Sequence, residues 1–221
     1  MTFDSFLTVT ELHQRASAHS ISPEEFEKEL WRLSTGHQRQ GRRYDAGAVR
    51  IYRTRPWLTS DPARPGFVAD ISYPKRQRLN RANDEGELVF YGSAGLPPTF
   101  VESRLEPGQT VVCGEWRNTA PMTLQVVGFS DGRNRSEIEQ LYHDIFTSSD
   151  PAIYKYSARV ARHLMSGPIS GLLYPSIAAQ NESHNLAIKA EYVDSSLRLI
   201  NASLYHIKAI KDRFLYDTDE L

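Results

Sequence analysis

The stretch Val89-Phe90-Tyr91-Gly92-Ser93-Ala94-Gly95-Leu96-Pro97-Pro98-Thr99-Phe100-Val101-Glu102-Ser103-Arg104 carries the residues best placed to do chemistry. A short apolar run ends in Tyr91, a turn of small residues follows, and the two prolines open a segment compatible with a helix. The pattern predicts a strand, a tight turn and a helix start. It sets an aromatic ring and a carboxylate 11 positions apart, at the mouth of one strand-helix unit, where sites are often built. Upstream stands Arg78-Leu79-Asn80, with Arg81 next to it. Far downstream stand Leu172-Leu173-Tyr174-Pro175-Ser176 and Asn185-Leu186-Ala187-Ile188.

Much of the usual repertoire is missing. The chain has no GxGxxG turn for a Rossmann dinucleotide site, no GxxxxGK[ST] phosphate loop and no HExxH pair. It has no GxSxG elbow, and its seven histidines show no metal-ligand spacing. Cys113 is the only cysteine, so neither an intrachain disulfide nor a thiolate zinc cluster can form. Its surroundings, Val111-Val112-Cys113-Gly114, predict a small buried group in a strand rather than a nucleophile. A lone cysteine, an N-terminus without a basic leader and the lack of a long apolar run predict a cytoplasmic protein. A net charge of -1 gives no reason to expect nucleic acid or an anionic membrane as a direct partner. The composition, 40% hydrophobic and 24% charged, is that of an ordinary globular chain rather than a disordered one.

The ordered set Arg78, Tyr91, Glu102 and Ser176 resembles the RES-domain family, named for its Arg, Glu and Ser. The strongest marks are the Tyr91–Glu102 spacing and the Tyr-Pro-Ser at Tyr174–Ser176 with its following Asn185-Leu186-Ala187. The likeness spans roughly Val49 to Ile188. The family's arginine motif departs here. Leu79 stands where an aromatic is usual, Gln77 where a glycine is, and the turn is longer, so Arg81 is an alternative to Arg78. Arg53 and Arg55 match a second basic position.

The resemblance implies an ADP-ribosyltransferase-like fold and a toxin that destroys NAD as its substrate. It needs no metal or resident cofactor, and a DNA-binding antitoxin would be its protein partner. Breaking the nicotinamide–ribose bond makes matching demands. The leaving group departs neutral and needs no acid, while the ribose becomes cationic and a carboxylate favours it. A planar arginine fork suits the diphosphate, and an aromatic face with a polar group suits nicotinamide. In that assignment Glu102, Tyr91, Arg78 and Ser176 carry the reaction. Arg78, Arg81, Arg53, Tyr91, Ser176 and Asn185 hold the nucleotide. Transfer of ADP-ribose to a protein or nucleic acid is the rival reaction. A degenerate domain that only binds a nucleotide or a partner is the rival of another class.

The positioning elements follow from periodicity. Helix is predicted from Thr8 to about Thr35, with Ser22-Pro23-Glu24-Glu25 as a capping box. Polar, basic His37–Arg43 reads as a linker, so residues 1–45 form a helical extension and 46–221 the main domain. Strands are predicted over Val49–Arg55, Glu87–Gly92, Gln109–Trp116, Leu124–Gly128, Leu172–Tyr174 and Leu186–Tyr192. Two helices are predicted, one capped by Ser136 and Glu139 and one over about Pro151–Met165. Leu197–Tyr216 leans towards strand. Asp61–Gly66 reads as a loop and Asp131–Asn134 as a turn. Strands that do not alternate regularly with helices argue an α+β fold, with mixed or antiparallel sheets flanked by helices.

Overall fold

The computed structural model describes residues 6–37, 41–57, 78–128, 135–178, 183–212 and 215–220. Its elements in chain order are α1 (Val9–Ser17), α2 (Pro23–Leu33), β1 (Gly41–Tyr44), β2 (Arg50–Pro56), β3 (Val89–Ser93) and α3 (Leu96–Glu102). There follow β4 (Thr110–Asn118), β5 (Met122–Val126), α4 (Glu137–Thr147), α5 (Tyr154–Leu164), β6 (Gly171–Pro175), β7 (His184–Lys189), α6 (Ala190–Ser196), β8 (Leu197–Asp212) and β9 (Leu215–Glu220). The strands form one sheet in the order β1-β5-β6-β7-β3-β2-β4-β8-β9. Every neighbouring pair is antiparallel except β5 and β6, which run parallel. That pair needs a crossover, and α4 and α5 supply it. The α+β class, with a mixed sheet and flanking helices, is the one the sequence predicts.

The central strands are apolar on both sides because both sides are covered. Side chains alternate strictly between the two faces. Val89, Leu172, Tyr174 and Ala187 join a cluster with Leu12, Phe26 and Leu30 of α1 and α2, Leu141 and Ile145 of α4, and Tyr156, Val160 and Leu164 of α5. Their neighbours Phe90, Leu173, Leu186 and Ile188 enter a second cluster with Ile51, Trp116, Leu124 and Val193 on the opposite face. Gly92 lets β2 come close to β3. A Cβ there would lie 2.3 Å from Ile51 Cγ2 and 2.9 Å from the Tyr52 carbonyl.

The Ser136 capping box forms as read: Ser136 accepts from the Glu139 amide while Glu139 reaches back to the Ser136 amide. Of the box read at Ser22, the structure shows one half, Ser22 accepting from the Glu25 amide. Elsewhere the local reading changes. The predicted helix over Thr8–Thr35 is two helices, broken at Ala18–Ser22, where His19 takes a left-handed φ of 52°. The basic stretch ends in a strand, since Gly41–Tyr44 pairs with Met122–Gln125 at the sheet edge. The strand predicted to Tyr192 stops at Lys189, and the chain turns into α6. There Val193 packs into the core and the Tyr192 hydroxyl donates to the Ala120 carbonyl at 2.8 Å. Leu197–Asp212 is strand, as its alternation suggested. The proposed loop Asp61–Gly66 and turn Asp131–Asn134 lie outside the described residues. Among the described residues no helix is long and apolar enough to cross a membrane.

Candidate functional site

The unit read from Val89 to Arg104 folds as a strand, a turn and a helix. Gly95 is the extended residue before α3, and the prolines occupy its first turn, where a missing amide hydrogen costs nothing. The helix ends at Glu102. Two hydroxyls seat this end on β2: Ser103 Oγ donates to the Thr99 carbonyl at 2.8 Å, Thr54 Oγ1 contacts Ser103 Oγ, and Thr54 Oγ1 also reaches the Thr99 carbonyl at 3.2 Å.

Beside it lies a cavity of about 410 Å³. Its lining includes Arg53, Asn80, Arg81, Tyr91, Ser93, Thr99, Glu102, Arg104, Tyr154, Tyr174 and Asn185. Glu102 is held through one oxygen. Its Oε1 accepts from Asn185 Nδ2 at 2.6 Å and from Ser176 Oγ. Asn185 is aimed by its cross-strand partner, because Ser93 Oγ donates to Asn185 Oδ1 at 2.9 Å and so turns the amide nitrogen towards the carboxylate. Ser176 is fully buried just beyond β6, its amide donating to the Ser183 carbonyl at 2.9 Å. Glu102 Oε2 has no hydrogen-bond partner among the described residues.

Tyr91 closes a second arrangement. Its hydroxyl donates to Asn83 Oδ1 at 2.7 Å and accepts from the Ala82 amide at 2.9 Å. Burial pushes this phenol well above its ordinary pKa, with the Ala82 amide pulling the other way. Burial raises Tyr174 likewise. The Tyr91 contact clasps the loop that carries Arg81, and buried Asn83 braces that loop by donating to the Arg78 and Asp84 carbonyls. Ion pairs hold the loop from behind: Asp84 meets Arg159 at 2.9 Å and Glu87 meets Arg162 at 2.6 Å, with Glu27 of α2 beside both arginines.

The expected set therefore gathers in part. Tyr91, Glu102, Arg53, Arg81 and Asn185 line the cavity, and Ser176 touches it through Glu102. Arg78 is exposed and is not among the lining residues, whereas Arg81, three positions on, is. Arg81 donates to the Phe146 and Ser148 carbonyls and to the Tyr154 hydroxyl, its guanidinium 4.8 Å over the Tyr154 ring. Arg53 donates to the Tyr91 carbonyl at 2.8 Å, and burial pulls its pKa below the ordinary value.

Sequence reasoning gave no role to Tyr154, Tyr174 or Arg104. Tyr174 stood in plain sight in the Tyr-Pro-Ser, and Arg104 closed the stretch that drew attention first. Tyr154 had no local signal, since only the fold brings the start of α5 to this wall. Three arginines against one carboxylate among the described lining residues suit an anionic ligand. No histidine, cysteine or lysine is among the described lining residues. No protein-family model matches this chain, and no curated protein matches it either.

Proposed function

We propose that the chain breaks the bond between nicotinamide and ribose in NAD, with water or phosphate as acceptor. One observation carries this reading: among the described lining residues a single carboxylate, fixed by Ser176 and Asn185, faces a cavity whose other charged side chains are arginines. Ordinary glycosidases need two carboxylates, one of them to protonate the leaving oxygen. A site with one suits a leaving group that needs no proton. In NAD the ring nitrogen is already cationic. When the C1′–N bond breaks, its electron pair neutralises the ring, and nicotinamide departs uncharged. Positive charge then develops on the ribose, where Glu102 stabilises it. The acceptor attacks C1′, and attacking water releases its proton to solvent. Arg53 and Arg81 favour the diphosphate end, and Tyr91, Tyr154 and Tyr174 offer faces for rings.

The α+β sheet is compatible with the RES-type, ADP-ribosyltransferase-like fold that the sequence resembles. On that reading the chain is the NAD-degrading toxin of a toxin–antitoxin pair, and its antitoxin covers the cavity. The exposure of Glu102 favours one second reading, transfer of ADP-ribose to a large acceptor, since such an acceptor can approach the carboxylate from solvent.

Purified protein incubated with NAD, with and without chelator, tests the proposal by chromatography of the products. Nicotinamide and ADP-ribose, or its 1-phosphate when phosphate is supplied, are the expected products in equal amounts. Label retained on protein or nucleic acid selects the transferase. Intact NAD after hours at micromolar protein refutes both.

A further inference from the structure

The three cavity arginines differ in what they have left to offer a ligand. A guanidinium carries five N–H donors. Arg81 spends three on Phe146, Ser148 and Tyr154, and Arg53 spends one on Tyr91 while packing 5.5 Å over the Phe90 ring. Arg104 lines the same cavity, is exposed, and makes no hydrogen bond or ion pair with any described side chain. Its backbone is unusual as well. Arg104 follows the last residues of α3 with φ at 49°, one of two non-glycine residues in the left-handed region among those described. That position after a helix ordinarily takes glycine, because a Cβ is strained there. A long cationic side chain is thus kept where the backbone disfavours it. It stands two positions after Glu102, on a helix end seated by Thr54, Thr99 and Ser103. Residues held in sparsely populated backbone regions cluster at ligand clamps.

We propose that Arg104, which makes no hydrogen bond or ion pair with a described side chain, is a cation for a diphosphate, closing on the anionic part of a nucleotide whose sugar lies against Glu102. The placement of the sugar rests on the proposed NAD reaction, whereas the binding of a diphosphate by Arg104 does not. Arg104 is a binding residue, and Arg81 is held mainly by the wall that it braces.

The experiment is calorimetric titration of the full chain with ADP and, separately, adenosine, for wild type, Arg104→Gly and Arg104→Lys. Arg104→Gly is expected to weaken ADP roughly 10-fold or more, since a charge-assisted bidentate contact is lost. It leaves adenosine binding unchanged and melts at or above the wild-type temperature, because glycine relieves the strained φ. Arg104→Lys falls between the two, an ammonium lacking the fork. The proposal is overturned if Arg104→Gly binds ADP as wild type does, if it loses adenosine equally, or if wild type does not bind ADP. NAD turnover is judged separately. ADP binding through Arg104 with NAD left intact refutes the reaction alone, and NAD consumption with ADP affinity untouched in Arg104→Gly refutes this inference alone.

Discussion

Glu102→Gln isolates charge from shape. Gln presents one oxygen and one NH₂. With its oxygen in the place of Oε1, it still accepts from Ser176 and Asn185, and its NH₂ falls where Oε2 has no partner among the described residues. No hydrogen bond is lost and no group is newly buried, so stability should move by no more than about 0.5 kcal/mol. The reaction loses a full charge facing the ribose. A pair of unit charges about 4 Å apart interacts by about 4 kcal/mol at an effective dielectric of ~20. The two hydrogen bonds to Oε1 already draw on that charge, and the rim is open to water. A loss of about 3 kcal/mol is therefore expected, or a fall of roughly 100-fold or more in rate. The loss should sit in kcat, since the cation exists only in the transition state, while KM changes less than about 3-fold. Steady-state release of nicotinamide gives kcat and KM, and thermal melting checks the fold. A folded Glu102→Gln protein with near-wild-type kcat would remove the carboxylate from the chemistry. A kcat loss matched by a collapse in melting temperature would make Glu102 structural.

Tyr91→Phe keeps the ring and deletes the hydroxyl that joins Asn83 to the Ala82 amide, both buried. It should cost about 1–3 kcal/mol in urea unfolding and raise KM for NAD more than it lowers kcat, as the Arg81 loop loosens. An unchanged unfolding midpoint would show that the clasp carries no energy. Burial pushes the Cys113 thiol up to about 12, so the native protein keeps a proton that the unfolded chain releases near pH 8.5. The unfolded state then binds fewer protons, and stability falls with rising pH between about 8.5 and 12, by up to about 1.4 kcal/mol per unit. Urea titrations of wild type and Cys113→Ala at pH 8 and 10 should show a steeper loss in wild type. Parallel curves would refute the assignment.

What was legible in the sequence was local. The Ser136–Glu139 box is a contact between residues three apart, so its letters are its structure. The strand-turn-helix from Val89 to Glu102 is legible for the same reason: its glycine and prolines restrict the backbone wherever they occur. Strand β1 was not, because Gly41-Arg42-Arg43-Tyr44 has no apolar alternation and becomes a strand only by pairing with β5, some eighty residues on. The extent of β7 was misjudged because Ile188 to Tyr192 alternates well enough for a strand, whereas the core accepts Val193 from a helix. Within the site, residue types were readable and partners were not. Glu102 stood out in the sequence. Its bonds to Ser176 and Asn185, and the choice of Arg81 over Arg78 at the cavity wall, depend on a sheet order that no local pattern encodes.

That order bears on how the protein is made. Strand β7 lies at the middle of the sheet, between β6 and β3, yet it comes late in the chain. Ser93 must wait for a partner 92 residues away, and Glu102 for one 83 residues away. At translation rates of about 5–20 residues per second, the second gap lasts roughly 4 to 17 s. Through that interval the emerging chain has its carboxylate without Asn185, and for most of it without Ser176 as well, 74 residues on, and a central slot in its sheet stands empty. Pairings this distant also close slowly. A nascent chain that ends before β7 therefore lacks Asn185 and the central strand that positions it, and the arrangement around Glu102 is complete only once β7 has been made.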